Sequence, residues 1–163
     1  KRDAANEITG FVRQDFTVGT TTRSVASPKP VDFSTNFGWF IDLPDGGAGK
    51  PSERVNVDPV LQLGTLVVPS NVPSDDTCVA GGYGWNNFFD YRSGGAAAGA
   101  TADIVSTKIS ASLVVGINVV QLPGGTVKTI ITTADNQQLT QETPVAPSNV
   151  TGRRVTWREL LVE

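Results

Sequence analysis

Asp42 and Asp90 each end an aromatic run, in GWFID and NFFD, and each is followed by paired glycines, Gly46-Gly47 and Gly94-Gly95. Two carboxylates brought face to face could do acid–base work at a glycosidic bond. Their matching places in a repeated pattern point instead to turn closure, in which an Asp side chain accepts from backbone N–H groups just beyond the strand. The chain has one cysteine, Cys78, and no histidine. Ser-His and Cys-His nucleophile pairs are therefore excluded within it, as are zinc sites built on Cys and His. Cys78 reads as an unpaired thiol or as half of a disulfide to a segment outside this sequence; as a catalytic thiol it has no base to activate it. GGAGKPS, Gly46 to Ser52, lacks the register of a phosphate loop because Pro51 follows Lys50, and reads as a turn. Asp75-Asp76 and Asp135 are isolated, whereas a hard cation needs roughly six or more oxygens held together. GGYGW, Gly81 to Trp85, could present Tyr83 and Trp85 to a glycan or a protein. The competing expectation, which we favour, is that Trp85 anchors the core, since Trp39 and Trp157 hold equivalent strand positions. The sequence thus offers no catalytic, cofactor-binding or metal-binding residue.

The elements that position these residues read as strands. Glu7 to Val18 alternates loosely and is expected to form one strand. Gly19 to Pro30 is expected to be loop, and Asp32 to Asn36 one short helical turn. Phe37 to Pro44 is a strand with aromatic weight. Val55, Val57 and Val60 are expected to face inward in a short strand broken by Pro59. Leu61 to Pro69 follows as a strand with Leu63, Leu66 and Val68 in the core. Ser70 to Gly84 reads as a long loop, Trp85 to Gly95 as a strand ending in a glycine turn, and Ile104 to Leu113 as a weaker strand. Val114 to Leu122, then PGG, then Thr126 to Thr133 form a hairpin. Ala134 to Gly152 is a polar loop, and RRVTWRELLV a final strand.

Composition fits this picture. The chain has 163 residues, 17 Gly, 10 Pro, 18% charged residues and a net charge of -3. Length suits a single domain, 1–163, and the turn-rich, weakly charged composition favours short strands over a helical bundle. A mildly acidic chain whose basic runs are only Lys1-Arg2 and Arg153-Arg154 is a poor nucleic-acid binder. No apolar run approaches the ~20 residues of a membrane helix. There is no signal-peptide pattern and no Met, so the chain is expected to be a processed or excised piece of something longer.

The strands also repeat. VLQLGTLVVPSN from Val60 answers VVQLPGGTVKTIITT from Val119: apolar strand, glycine turn, apolar strand, then a polar loop. Each loop leads to a strand built on Trp, GWNNFFDY in one case and RVTWRELL in the other, and GWFIDLPDGG upstream resembles NFFDYRSGG. The expected units are about 37–95 and 104–162, preceded by a variable segment, 1–31. A period of about 60 residues in this order suggests propeller-like blades. A closed propeller needs about four blades, so two units leave apolar surface to be covered, either by a larger propeller or by a homodimer.

Four segments, GWFIDLPDGG, ERVNVDPVLQLGTLVVPSNVP, CVAGGYGWNNFFDYRSGG and GRRVTWRELLVE, resemble in sequence and order the C-terminal region of the PilC/PilY family, the type IV pilus tip-associated adhesins and pilus-assembly proteins. The resemblance spans about Asp32 to Glu163. It implies an all-β fold of antiparallel sheets like the last two blades of a distorted β-propeller, with two sheets repacked as a β-sandwich as the alternative. It implies a non-enzymatic module, extracellular at the pilus tip or outer surface, acting in pilus biogenesis, adhesion and twitching motility. Its implied partners are minor pilins or other tip components and a host or abiotic surface. The other reading is a scaffold that closes a larger propeller and binds no ligand. The family's Asp-x-Asp-x-Asp calcium motif and its Arg-Gly-Asp integrin motif are both absent here, so neither calcium nor integrin binding carries over. The expected contact surfaces are the loops Pro69 to Gly84 and Ala134 to Gly152, since long loops on a rigid scaffold carry binding.

Overall fold

The computed structural model describes residues 2–3, 7–46, 50–76, 81–109 and 112–146. These residues form eleven strands and no helix. In chain order they are β1 (Phe11–Gln14), β2 (Thr17–Val18), β3 (Thr22–Ser24), β4 (Gly38–Ile41), β5 (Val60–Gln62), β6 (Thr65–Pro73), β7 (Gly82–Asp90), β8 (Ile104–Ile109), β9 (Val114–Gln121), β10 (Val127–Thr133) and β11 (Gln138–Glu142). A central six-stranded sheet has the order β2-β3-β8-β7-β6-β5, and a three-stranded sheet the order β11-β10-β9. Both are antiparallel throughout. The separate β1–β4 pair is parallel, from Phe11 opposite Gly38 to Gln14 opposite Ile41.

The all-β expectation therefore holds, with one parallel pair that the sequence reading lacked. The run β5-β6-β7-β8 pairs sequence neighbours with one another, as a propeller blade does. It is extended by β3 and β2, and neither sheet closes on itself. The three-stranded sheet lies against one face of the six-stranded one, as in the sandwich alternative. β8 is hydrogen-bonded between β3 and β7, in the same sheet as β5, β6 and β7.

Cross-strand partners share a face, so the register sorts the central sheet into two surfaces. Thr65, Val67, Asn71, Gly84, Asn86 and Ile109 look toward the second sheet. There Thr65 donates to the Pro144 carbonyl at 2.7 Å and Asn86 to Gln141 Oε1 at 2.7 Å. Ile109, Val114 and Ile131 form a buried apolar cluster between the sheets. The opposite surface has an apolar half, where Phe89 packs with Val25, Val105, Phe16, Trp39 and Val68. The Trp39 and Phe89 ring centroids lie 5.4 Å apart.

The hairpin of β9 and β10 forms where the PGG signal placed it. Leu122 N–H donates to Thr126 O at 2.8 Å and Gly125 N–H to Leu122 O at 3.0 Å, a closing turn that needs the φ of +90° at Gly125. The turn at Asp32 also forms, with Asn36 N–H donating to Asp32 O at 2.6 Å.

Several expectations are corrected. Glu7 to Val18 is not one strand: Asp15-Phe16 separates β1 from β2, because Phe16 turns into the core against Phe89, ring centroids 6.1 Å apart. The expected loop Gly19 to Pro30 contains β3, whose Arg23 sits opposite Ser106 of β8. Val55 is 46% exposed and Val57 and Val60 are only half-buried, since Glu53 takes the interior place. Leu63 lies in the β5–β6 turn; Thr65, Val67 and Pro69 are the buried residues of that stretch, Leu66 is half-buried, and Val68 packs against Phe89 as expected. The expected loop Ser70 to Gly84 is largely strand, as β6 runs to Pro73 and β7 starts at Gly82. β11 likewise occupies part of the expected loop Ala134 to Gly152. Cys78, Trp157 and the final strand RRVTWRELLV lie outside the described residues.

Candidate functional site

The register lays polar residues across the other half of that second surface in two adjacent rungs. One rung is Arg23, Ser106, Asn87 and Val68, on β3, β8, β7 and β6; the next is Lys108, Trp85 and Ser70. Ser106 Oγ donates to Asn87 Oδ1. Asn87 Nδ2 donates to Ser70 Oγ at 2.9 Å and to Val68 O at 2.8 Å. These bonds satisfy side chains that strand geometry alone would leave buried and unpaired.

The connection between β4 and β5 brings two carboxylates onto these rungs. Arg23 donates through Nη1 to Glu53 Oε1 at 3.0 Å and through Nη2 to Glu53 Oε2 at 2.8 Å. Neither side chain has exposed area. Ser70 Oγ donates to Glu53 Oε1. Asp45 lies beside them, its Oδ1 at 3.0 Å from Arg23 Nη2. Asp45 Oδ2 accepts from Trp85 Nε1 and from the Tyr83 hydroxyl, both at 2.8 Å. The Arg23 guanidinium lies 3.7 Å from the Trp85 ring centroid, and Lys108 Nζ 3.8 Å from that of Tyr83, stacking that suits a cation out of water. The Glu53 N–H also donates to the Asp45 carbonyl at 2.9 Å, so the loop's two acids are held to one another.

Burial by itself pushes the Asp45 carboxyl up, but the donors Trp85 and Tyr83 and the charge of Arg23 outweigh it and hold it below the usual carboxylate value. Burial, then the bond to Asp45, then the negative charges of Asp45 and Glu53 push the Tyr83 phenol up to about 12. Both groups thus keep fixed protonation states near neutrality. The Asp45 oxygens are occupied by three donors, and Tyr83 is a hydroxyl donor, not a phenolate base. The cluster clamps Asp45 and Glu53 of the β4–β5 connection onto the sheet and ties Tyr83 and Trp85 to Asp45.

Tyr83 forms one wall of a groove of about 310 Å³ at the far end of β6 and β7, with Lys50, Pro51, Val72, Pro73 and Asp75 around it. The groove offers one cation, one carboxylate, one aromatic face and backbone polar groups, which suits a polar peptide more than a small apolar ligand. A second cavity, of about 380 Å³, lies between β7–β8 and β11, lined by Phe88, Thr101, Ile104, Thr107, Gln141 and Pro144.

The two aspartates paired by the repeat do different things. Asp90 Oδ1 accepts from Arg92 N–H at 3.0 Å, Ser93 N–H at 2.8 Å and Ser93 Oγ at 2.9 Å, which is turn closure as expected. Asp42 closes no turn: it accepts from Arg2, with Nη1 to Oδ2 at 2.8 Å, and has Arg13 Nη2 at 3.7 Å. They face different partners and form no carboxylate pair. Trp85, 2% exposed, is the core anchor expected of it, whereas Tyr83 is half-buried at the groove. Arg23, Asp45, Glu53 and Lys108 went unnoticed in the sequence. Arg23 and Glu53 stand in Thr/Ser- and Pro-rich stretches without an apolar pattern, so nothing local marks them as interior. Among the described residues no group of three or more Cys, Asp or Glu could hold a metal ion, and no helix is long and apolar enough to cross a membrane.

Over 76 residues, 46% of its length, the chain is 33% identical to the type IV pilus biogenesis factor PilY1 homolog of Xylella fastidiosa, and this match covers 5% of that protein. No family model and no solved structure matches the chain.

Proposed function

We propose that the chain is a non-enzymatic display module of a type IV pilus biogenesis protein. It works outside the cell at the pilus tip or bacterial surface and contributes to pilus assembly, adhesion and twitching motility. The observation that carries this reading is the similarity to the Xylella fastidiosa pilus biogenesis factor. The structure supports it in one respect: the Arg23–Glu53–Asp45 cluster ties Asp45 and Glu53, and through Asp45 the groove residue Tyr83, to a β scaffold, the arrangement in which loops carry recognition. The groove around Tyr83, Lys50 and Asp75 is the contact surface, and minor pilins or tip components, or a host or abiotic surface, are the partners. On this reading the module needs no cofactor of its own.

The test is replacement of residues 74–76 and Lys50 by Gly-Ser sequence in the parent protein, in its own cells, with surface pili, adherence and twitching as readouts. Fewer pili or weaker adherence, with the thermal transition of the 163-residue chain unchanged, is the expected result. Normal pili, adherence and twitching would rule out this groove as the interface. They would favour the scaffold reading, in which the chain completes a larger fold and touches no ligand.

A further inference from the structure

Natural sheets protect their edges with short strands, charges, prolines or bulges. Among the described residues the edges here follow that rule with one exception. β2 has two residues and β5 three, β11 carries Glu142 and β1 Arg13. β4 is four residues long. β9 is eight residues long, VVGINVVQ, with no charge and no proline. It pairs with β10 on one side and, among the described residues, has no strand on the other.

The register shows which peptide groups that open side presents. Leu122 N–H donates to Thr126 O, which makes Leu122 and Thr126 a hydrogen-bonded pair. Alternation along the antiparallel ladder then turns the N–H and C=O of Gln121, Val119 and Ile117 away from β10. At the N-terminal end the pairing shifts between Thr132 and Thr133. Beyond that shift Asn71 takes both peptide groups of Val114: Val114 N–H donates to Oδ1 and Nδ2 donates to Val114 O, each at 2.7 Å. A side-chain amide thus stands where a neighbouring strand would be, and the open edge runs only from Ile117 to Gln121.

We propose that this edge is a self-pairing surface: β9 of a second copy adds to it, antiparallel, about a two-fold axis through Val119. In that register Ile117 faces Gln121 of the other copy and Val119 faces its own counterpart. Each outward peptide group then finds a partner, and the two three-stranded sheets become one continuous sheet. A second copy is the occupant that the strand's chemistry favours. With no charge on β9, a two-fold axis opposes no like charges, and the outward groups match themselves in one register. The β-branched residues Val115, Ile117, Val119 and Val120 are those that cross-strand pairing rewards.

The test is the solution mass of the 163-residue chain across a concentration series, with amide hydrogen exchange read at Ile117, Val119 and Gln121. A dimer with those amides protected is expected. Asn118 is exposed, and its counterpart lies diagonally across the two-fold axis. N118K and N118D should therefore each be monomeric with fast exchange at the same amides, and mixing the two variants should restore the dimer. A wild-type monomer at every concentration would overturn the proposal, and protected amides in that monomer would assign the edge to another part of the same chain. A dimer that N118K and N118D leave intact would place the interface elsewhere and overturn it equally.

Discussion

Arg23 and Glu53, 30 residues apart in sequence, meet in a two-point ion pair with no exposed area on either side chain, at 3.0 and 2.8 Å. Removing two charges from water costs several kcal/mol per ion, which Ser70, Asp45 and the Trp85 ring offset around the pair, while Arg23 Nε is left without a hydrogen-bond partner. Glu53→Gln should destabilise by about 3 kcal/mol, the low end for a broken buried pair, since it leaves the buried guanidinium with Asp45 as its carboxylate partner. The double variant R23L/E53L should recover much of that loss. Urea unfolding of the three proteins decides it; equal losses in the single and double variants would mean that the pair's charge is not what matters.

Tyr83 and Asp45 give stability that depends on pH in opposite senses. The folded value for Tyr83 is raised to about 12, so its contribution is complete below the ordinary phenol value near 10 and is lost as pH rises toward about 12. The folded value for Asp45 is lowered, so its contribution is present above the ordinary Asp value of about 4 and fades as pH falls below it. In an absorbance titration of the two tyrosines, one phenolate step should appear only near pH 12 and vanish in Y83F. In D45N that step should move down and the acid limb of the stability curve should flatten. An unchanged late step in D45N would remove Asp45 as its cause.

The strand-level outline was legible because it rests on local signals. PGG with alternating apolar flanks specified β9 and β10, and FFD followed by Ser93 and a glycine pair specified the Asp90 turn. What was not legible depends on partners distant in the chain. The expectation held at Val68, which packs with Phe89, but missed Thr65 and Val67 because the central sheet is covered on both faces, so residues on either face look alike in sequence. Arg23 and Glu53 look like solvated charges until the fold brings them together. Asp42 matched Asp90 by position, but what a carboxylate does depends on its donors, and Arg2 and Arg13 reach Asp42 from the N-terminal segment.

That difference between Asp42 and Asp90 is measurable. Asp90→Ala frees the Arg92 and Ser93 amides and the Ser93 hydroxyl, and should cost about 1 kcal/mol, as the loss of a comparable side-chain cap does. Asp42→Ala removes an ion pair whose side chains are 39% and 35% exposed, and should cost clearly less, by an amount that falls further in salt. Denaturant midpoints at low and high salt compare the two. Equal, salt-independent losses would restore the structural equivalence suggested by the repeat.

Leu63 offers the opposite kind of test, a stabilising one. With Gly64 it makes the two-residue turn between β5 and β6, and both have positive φ, +46° for Leu63 and +82° for Gly64. That geometry matches the twist of the flanking strands and calls for Asn-Gly, not Leu-Gly. A branched apolar side chain gains nothing there, since Leu63 is 37% exposed, and it strains a left-handed backbone that Asn tolerates. Leu63→Asn should therefore raise stability by about 1 kcal/mol, seen as a higher denaturant midpoint with an unchanged slope. Leu63→Val, β-branched at the same φ, should lower it. If Asn destabilises instead, the Leu63 side chain has a packing role that its exposure conceals.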